Sequence, residues 1–522
     1  IDMTTTRRKF LKGGLTVGGL AAASQLTSPF IRTATAGKSS NSVVFASGEP
    51  LSGNWDPSSH TVLGQINFEG YVFGRLTNTP MRPENPSEIQ YDLATGHKII
   101  NENVLEWSLR KGVTFHNGAP FTAADVKATF EYSSQPGKSA WYPGPVDVEI
   151  VDDYTVRLNT EAHGYPATAY ILLASFLPIM SAADIEGGSI SQVPNGTGPF
   201  KFIEQKGDES IMSAFDNYYQ GRPILDEVRF AYMGDANTRV LALLGGEADI
   251  IERLEPEQYD TLKTKDGVSV LRSVATENKY LHFRCNKAPF DDVRMRKAVC
   301  HAIDRDLVTE ILGAAGHASS SYVSPVKLGG SDIPNYPTYD PTECQRLMAE
   351  AGYPKGNGLP ELEYITSTGF YPKTKEYGEV ITALLQEQGL NVKLTVLETA
   401  AWLERLYQPE SGDPAGHMID CGWSTGSPEP DLVLRPMFHS SLCLINGFKD
   451  AEIDAALDAE QAEGDPNKRL DMITKDLMPM MADKAPSLSL FTSVLIHGVQ
   501  ENLNGAYFYP NGPIDLSKAS YS

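Results

Sequence analysis

Residues 420–439 hold the densest grouping of side chains able to do chemistry. Gly422-Trp423-Ser424-Thr425-Gly426 fits the G-x-S-x-G pattern, and Asp431 and His439 follow in the Ser, acid, His order of an α/β-hydrolase. That chemistry needs a helix starting just after the serine, so that backbone N–H groups stabilise an oxyanion. Pro428 and Pro430 stand where the helix should run, and eight residues from acid to base leave very little chain to place both around a nucleophile. Catalysis by Ser424 is therefore not expected. The ten histidines are scattered, with no HExxH and no pair at ligand spacing, and there is no CxxC, so no metal centre or cofactor is expected either.

Such residues need a frame, and the pattern on either side supplies one. Val228–Tyr232 alternates like a strand, 235–244 reads as a helix stopped at Gly245-Gly246, and Ala248–Ile251 begins another strand. A second unit of the same kind runs from Leu362–Ile365 through a helix at 374–388, capped by Gly389, to Val392–Leu397. Strand, helix, strand at this spacing predicts crossover connections and α/β layers. The two units are far apart in the chain, which predicts separate sheets. Thr122 and Asp125 form a capping box for a helix through Tyr132, Asp340-Pro341 opens another that ends at Gly352, and 450–464 with 466–483 reads as an acidic helical pair. Pro- and Gly-rich loops are expected at 79–86, 134–145 and 353–360.

The 522 residues carry 44 Lys and Arg against 66 Asp and Glu, a net charge of −22, which excludes nucleic acid as a natural partner. With 41% hydrophobic residues the chain has material for more than one core. Thr4–Lys12, with paired Arg7 and Arg8, precedes a short glycine-rich apolar run and the Ala34-Thr35-Ala36 cleavage pattern. These features resemble a twin-arginine export signal over residues 1–36. Its removal takes away five basic residues and one acidic residue and moves the charge from −22 to −26. The mature product is then expected outside the bacterial cytoplasm, in the periplasm. Five cysteines do not make a disulfide scaffold; Cys421 and Cys443 are one conceivable pair, which the sequence leaves open.

Four ordered motifs carry a family resemblance. They are Leu109–Val126 with its His116-Asn117-Gly118 core, Asn195-Gly196-Thr197-Gly198-Pro199-Phe200, Asn286–Ala298 with Pro289-Phe290-Asp291-Asp292-Val293-Arg294, and Ala302-Ile303-Asp304-Arg305. Together they resemble the family 5 extracellular solute-binding proteins, periplasmic receptors that serve ABC importers of peptides, nickel chelates, opines and related solutes. The resemblance implies an α/β fold of the two-lobed periplasmic binding protein type (cluster C), with mixed sheets, flanking helices, a hinge and an extra subdomain in the first lobe. It implies lobe I over 37–276 with the extra subdomain at about 83–210, lobe II over 277–489, and a return to lobe I over 490–522. It also implies a monomer that hands its solute to an inner-membrane permease. His116 and Asn117 read as structural turn residues, and Arg294, Arg296 and Lys297 as a solvated or interlobe helix face.

In peptide-binding relatives a Trp in the segment now at 420–439 is followed three residues later by an Asp that receives the ligand's ammonium. Here Trp423 is followed by Gly426, which argues against ordinary peptides unless Glu429 or Asp431 substitutes. The hydroxyls of Ser424, Thr425 and Ser427, with Trp423 as a stacking surface, suit sugar hydroxyls or a phosphate. Arg284 or Arg435 would complete an anion site, although either also suits a structural ion pair. An opine or sugar-phosphate conjugate of the agrocinopine kind is the ligand this favours, with a di- or oligopeptide as the alternative. By the same resemblance Asn54 and Trp55 face the cleft from lobe I, unless Trp55 packs on the core.

Overall fold

The computed structural model describes residues 41–60, 63–135, 138, 146–175, 177–368, 370–408 and 415–522. The leader expected over 1–36 and much of the loop expected at 134–145 lie outside them. Eleven of the described strands form one mixed sheet: β1 (Ser42–Ser47), β2 (Phe200–Lys206), β3 (Glu209–Ala214), β4 (Glu227–Tyr232), β5 (Ile250–Ile251), β6 (Val268–Phe283), β7 (Gly316–Ala318), β8 (Leu362–Thr368), β9 (Val392–Glu398), β10 (Met418–Trp423) and β11 (Ser487–Gln500). Their order is β9-β8-β10-β6-β11-β5-β1-β4-β3-β2, with β7 paired to β11.

Both strand, helix, strand units are present. Asp235 caps the helix Ala236–Leu244 between β4 and β5, and the helix Thr374–Glu387 connects β8 to β9. β8 and β9 are parallel neighbours, whereas β4 and β5 flank β1 and both run parallel to it. The expectation of separate sheets fails. The units stand toward opposite ends of one hydrogen-bonded sheet, because β6 and β11, sixteen and fourteen residues long, run antiparallel through its middle. Their register shifts between Val274 and Asn278 and again between Lys279 and Tyr280, so the ladder is irregular over a short stretch and regular on either side of it.

Three of the five hydrophobic clusters among the described residues are the largest. One gathers Tyr280, Met295, Tyr364 and Ile381 around β6, β8 and their helices. Another gathers Phe45, Phe68, Phe200 and Phe230 at the β1 end. The third, with Trp107, Phe115 and Phe130, backs a separate antiparallel sheet ordered Ala94–Asn101, Val104–Leu109, Thr155–Asn159, Asp147–Asp152.

The recognisable motifs are scaffold. His116 is buried, and that burial lowers its pKa to about 4, so the neutral ring donates from Nε2 to Gly198 O (3.0 Å) while its backbone N–H donates to Gly196 O (2.9 Å). Asn117 N donates to Asn195 Oδ1 (3.1 Å), joining the two turns. A Cβ on Gly196 would lie 2.0 Å from Val72 O, so this turn is glycine because two backbones touch. On the helix Val293–Ala302, Arg294 pairs with Asp292 and Lys297 with Asp483 near solvent. Arg296 departs from the expected solvated face: it is buried and donates to Phe290 O (2.8 Å), Lys484 O (2.7 Å) and Ala485 O (3.1 Å). All five cysteines are free, so Cys421 and Cys443 are separate buried thiols rather than a bridge. No helix among the described residues is long and apolar enough to cross a membrane.

The contact at Gly196 gives a direct test. Gly196→Ala is expected to cost about 2–4 kcal/mol of unfolding free energy. Gly96→Ala, where a Cβ meets nothing within 4 Å, should stay within about 0.5 kcal/mol in the same denaturant titration.

Candidate functional site

β10 brings Trp423 to the end of its ladder, and an irregular segment then leads to the helix Asp431–Phe438. Irregular backbone must find partners for its own polar groups. Here Lys327 provides several: its buried Nζ donates to Thr425 O (3.1 Å), Thr425 Oγ1 (2.5 Å) and Ser427 O (2.5 Å). Burial draws this ammonium's pKa down to about 7 against the pull of Glu429, and the three oxygens favour its charged form. Trp423 Nε1 donates to Leu432 O (3.2 Å), Ser427 Oγ to Leu172 O (3.0 Å), and Asn511 Nδ2 to Gly426 O (3.0 Å).

The charged residues just beyond are paired. Buried Arg469 donates two bonds to Glu429 (2.7 and 2.8 Å) and one to Glu460 Oε2 (3.0 Å). Burial opposes its charge, but Glu429 and Glu460 hold the guanidinium pKa above its ordinary value. Asp431 Oδ2 accepts from Tyr165 OH (2.5 Å) and Arg435 Nε (2.8 Å), and Arg435 also donates to Asp458 (2.9 Å). Burial, then the charge of Asp431, push Glu460 well above the carboxylate range.

The residues singled out in the sequence therefore divide. Trp423, Ser424 and Gly426 are half-buried and adjacent. Thr425 and Ser427 are buried, their hydroxyls committed to the turn and to Leu172 O. Glu429 and Asp431 already hold arginines, so neither is placed to replace the carboxylate missing at Gly426. Arg284 is fully buried, donating to Ala415 O (3.0 Å), Arg405 O (2.7 Å) and Ile445 O, and burial lowers its pKa to about 10. Trp55 is 5% exposed and packs between Phe68 (4.6 Å) and Phe202 (4.8 Å), which makes it a core ring rather than a stacking platform. Asn54 is exposed and donates to Ser59 Oγ (3.0 Å).

Sequence reasoning missed three residues that converge on Gly422. Glu277 Oε1 accepts from Ser493 Oγ (2.7 Å), and a Cβ on Gly422 would lie 2.5 Å from the Glu277 Cδ. Lys279, cross-strand partner of Gly422, is fully buried with its Nζ 3.2 Å from the Tyr371 ring centroid and no hydrogen-bond partner among the described residues. Tyr371 OH accepts from Gly422 N (3.1 Å) and donates to Gly422 O (3.3 Å), fixing the ring. Burial raises the Glu277 pKa against Ser493, Lys279 and Arg253, and lowers that of Lys279 against Asp420, Cys421 and Glu277. The available signal was the polar run Thr276-Glu277-Asn278-Lys279 between Val274-Ala275 and Tyr280-Leu281 in the central strand.

The Ser, acid and His positions of the G-x-S-x-G reading are each bonded to other partners. Ser424 Oγ pairs with Thr276 Oγ1 (2.6 Å), while His439 Nδ1 pairs with Ser441 Oγ (2.7 Å). The described residues contain no group of three or more His, Cys, Asp or Glu placed to hold a metal ion.

Residues 88–442 match the profile of bacterial extracellular solute-binding proteins, family 5 middle, over more than half of the chain. The chain belongs to this family. A glutathione-binding protein, GsiB of Salmonella paratyphi A, is 26% identical over 438 residues, covering 80% of this family 5 chain and 83% of the relative. Heme-binding protein A of Haemophilus influenzae is 29% identical over 481 residues, covering 84% and 85%. The solved structure of AgaA from A. tumefaciens R10 in complex with agropinic acid aligns with a TM-score of 0.74 at 22% identity, covering 92% of this chain and 99% of that one. That level of likeness establishes the two-lobed binding-protein fold.

Removing the Lys327 ammonium should loosen the turn that carries Trp423 and Ser424. Lys327→Met leaves Thr425 O and Ser427 O buried without this donor, and is expected to cost about 1–3 kcal/mol in chemical denaturation. An unchanged midpoint would show that the three bonds contribute nothing net.

Proposed function

We propose that this protein is an exported receptor that captures a small solute between two lobes and passes it, chemically unchanged, to the inner-membrane permease of an ABC importer. The observation that carries the reading is the family match over 88–442. On this reading residues 1–36 are a cleaved leader, and the mature monomer works in the periplasm. Lobe I takes 37–276, with its extra subdomain at about 83–210, and the tail 490–522; lobe II takes 277–489. The register shift between Val274 and Asn278 lies at the first proposed crossing and supports a hinge there.

The bonds between the proposed lobes suit reversible closure. Tyr165 meets Asp431, Ser427 meets Leu172 O, Thr168 Oγ1 donates to Gly464 O (3.0 Å), Asn511 meets Gly426 O, and Lys373 pairs with Glu257 (2.8 Å). These are individual polar contacts, two of them buried and the Lys373–Glu257 pair near solvent, so a ligand bridging the lobes is able to decide between open and closed states.

For the ligand we favour a peptide-sized polar solute. An opine or sugar-phosphate conjugate would need an anion site, and Arg284 and Arg435, the arginines expected to form it, donate to carbonyls and to Asp431 and Asp458. The di- or oligopeptide alternative needs no arginine at those places. Hydrolysis by Ser424 lacks support because its hydroxyl pairs with Thr276 and not with His439.

Small-angle scattering of the purified protein should contract as glutathione or a mixture of di- and tripeptides is added. Tyr165→Phe, which weakens the closed state by about 1.4 kcal/mol, should reduce affinity about tenfold. Profiles unmoved by these peptides, opines and sugar phosphates alike, or accumulating hydrolysis products, would refute the receptor reading.

A further inference from the structure

The cluster around Gly422 contains a carboxylate whose setting the fold alone does not explain. Glu277 is half-buried on the central strand β6, takes one hydrogen bond from Ser493, and forms no ion pair among the described residues. The cations nearest to it are engaged elsewhere: Lys279 sits on the Tyr371 ring, and Arg253 pairs with Glu49. Its Oε2 is held over the bare Cα of Gly422, where a Cβ would come within 2.6 Å of it, so the glycine is what admits the carboxylate. Trp423 and Ser424, both half-buried, follow immediately along the neighbouring strand. A half-buried carboxylate with one acceptor atom uncommitted, next to the segment that carries Trp423 and Ser424, is suited to a cationic nitrogen.

We propose that Glu277 is the residue that receives the ligand's ammonium group, from the side of β6, in a chain that offers no side chain at Gly426 to do so. The bound class is then a primary amine, such as a peptide with a free N-terminus. Ser493 is a positioning residue that orients the carboxylate, and Gly422 keeps its seat open. This inference rests on the receptor reading above and narrows it to cationic recognition at one named oxygen pair.

The test uses the full mature chain and two probe sets: di- and tripeptides including glutathione, and the same compounds N-acetylated. Calorimetric titration of the wild-type protein should favour the free amines by about 10- to 100-fold. Glu277→Gln, nearly the same shape without the charge, should lose that preference by weakening the free amines while leaving the acetylated compounds unchanged. Glu277→Asp should restore part of it. Equal binding of the amines by wild type and Glu277→Gln, or wild-type preference for the acetylated set, overturns the proposal. So does a wild-type protein that ignores both sets but closes on a sugar phosphate or an opine, an outcome that leaves the receptor reading intact. A Glu277→Gln chain with lowered thermal stability and an intact amine preference would assign the residue to the fold alone.

Discussion

The antiparallel pairing of β6 with β11 is the constraint on which everything else depends. A sheet built as two separate units could place its lobes anywhere. A sheet threaded by one long strand pair fixes them to a common ladder, and β5 against β11 fastens the β1 end to that pair. The proposed hinge lies where the ladder is irregular, between Val274 and Asn278 and again between Lys279 and Tyr280. Thr276 lies in the first gap, with its backbone N–H on Pro510 O and its hydroxyl on Ser424, so the irregular place and the candidate site share residues.

Buried charge is handled differently at each place, and the differences separate scaffold from site. Arg284 and Arg296 are buried but surrounded by carbonyl oxygens, an arrangement that satisfies every direction of the guanidinium fork and leaves nothing for a partner. Arg469 answers two carboxylates and Lys327 three oxygens. Asp420 accepts from Tyr377 (2.6 Å) and Tyr364 (3.2 Å). Lys279 and Glu277 stand apart, one resting on a ring and the other on a single serine. Lys279, buried and without a hydrogen-bond partner among the described residues, is costly unless the ring or another group completes it.

How much was legible follows from which physics wrote each feature. Helix starts at Thr122 and Asp340 were readable because capping is local. The family motifs were readable too, and His116, Gly196 and Asp292 prove to hold turns and a helix start. The single sheet was not readable, since nothing local distinguishes one long ladder from two short ones. The site was half readable. Trp423 and Ser424 lie in a conspicuous segment, but which neighbouring hydroxyls face inward is decided by Lys327, nearly a hundred residues earlier in the chain. Trp55 shows the same limit, because an indole beside Asn and Asp reads as a binding surface until Phe68 and Phe202 close on it.

A carboxylate on β6 differs mechanically from one on the turn at Gly426. The turn at Gly426 is clasped by Lys327 and tied to the first proposed lobe by Asn511 and by the bond of Ser427 to Leu172 O. At the proposed hinge, Glu277 lies inside the register shift between Val274 and Asn278 and next to the Lys279 pairing with Gly422. A cation bound at its carboxylate therefore acts within a residue or two of the backbone that must bend, and its stabilisation differs between open and closed states as soon as Ser493, on the partner strand β11, shifts relative to β6. Differential stabilisation of that kind is all a ligand needs to drive closure. With the recognising charge at the crossing, as proposed, rather than at a lobe surface, ligand sensing and hinge motion would be the same local event.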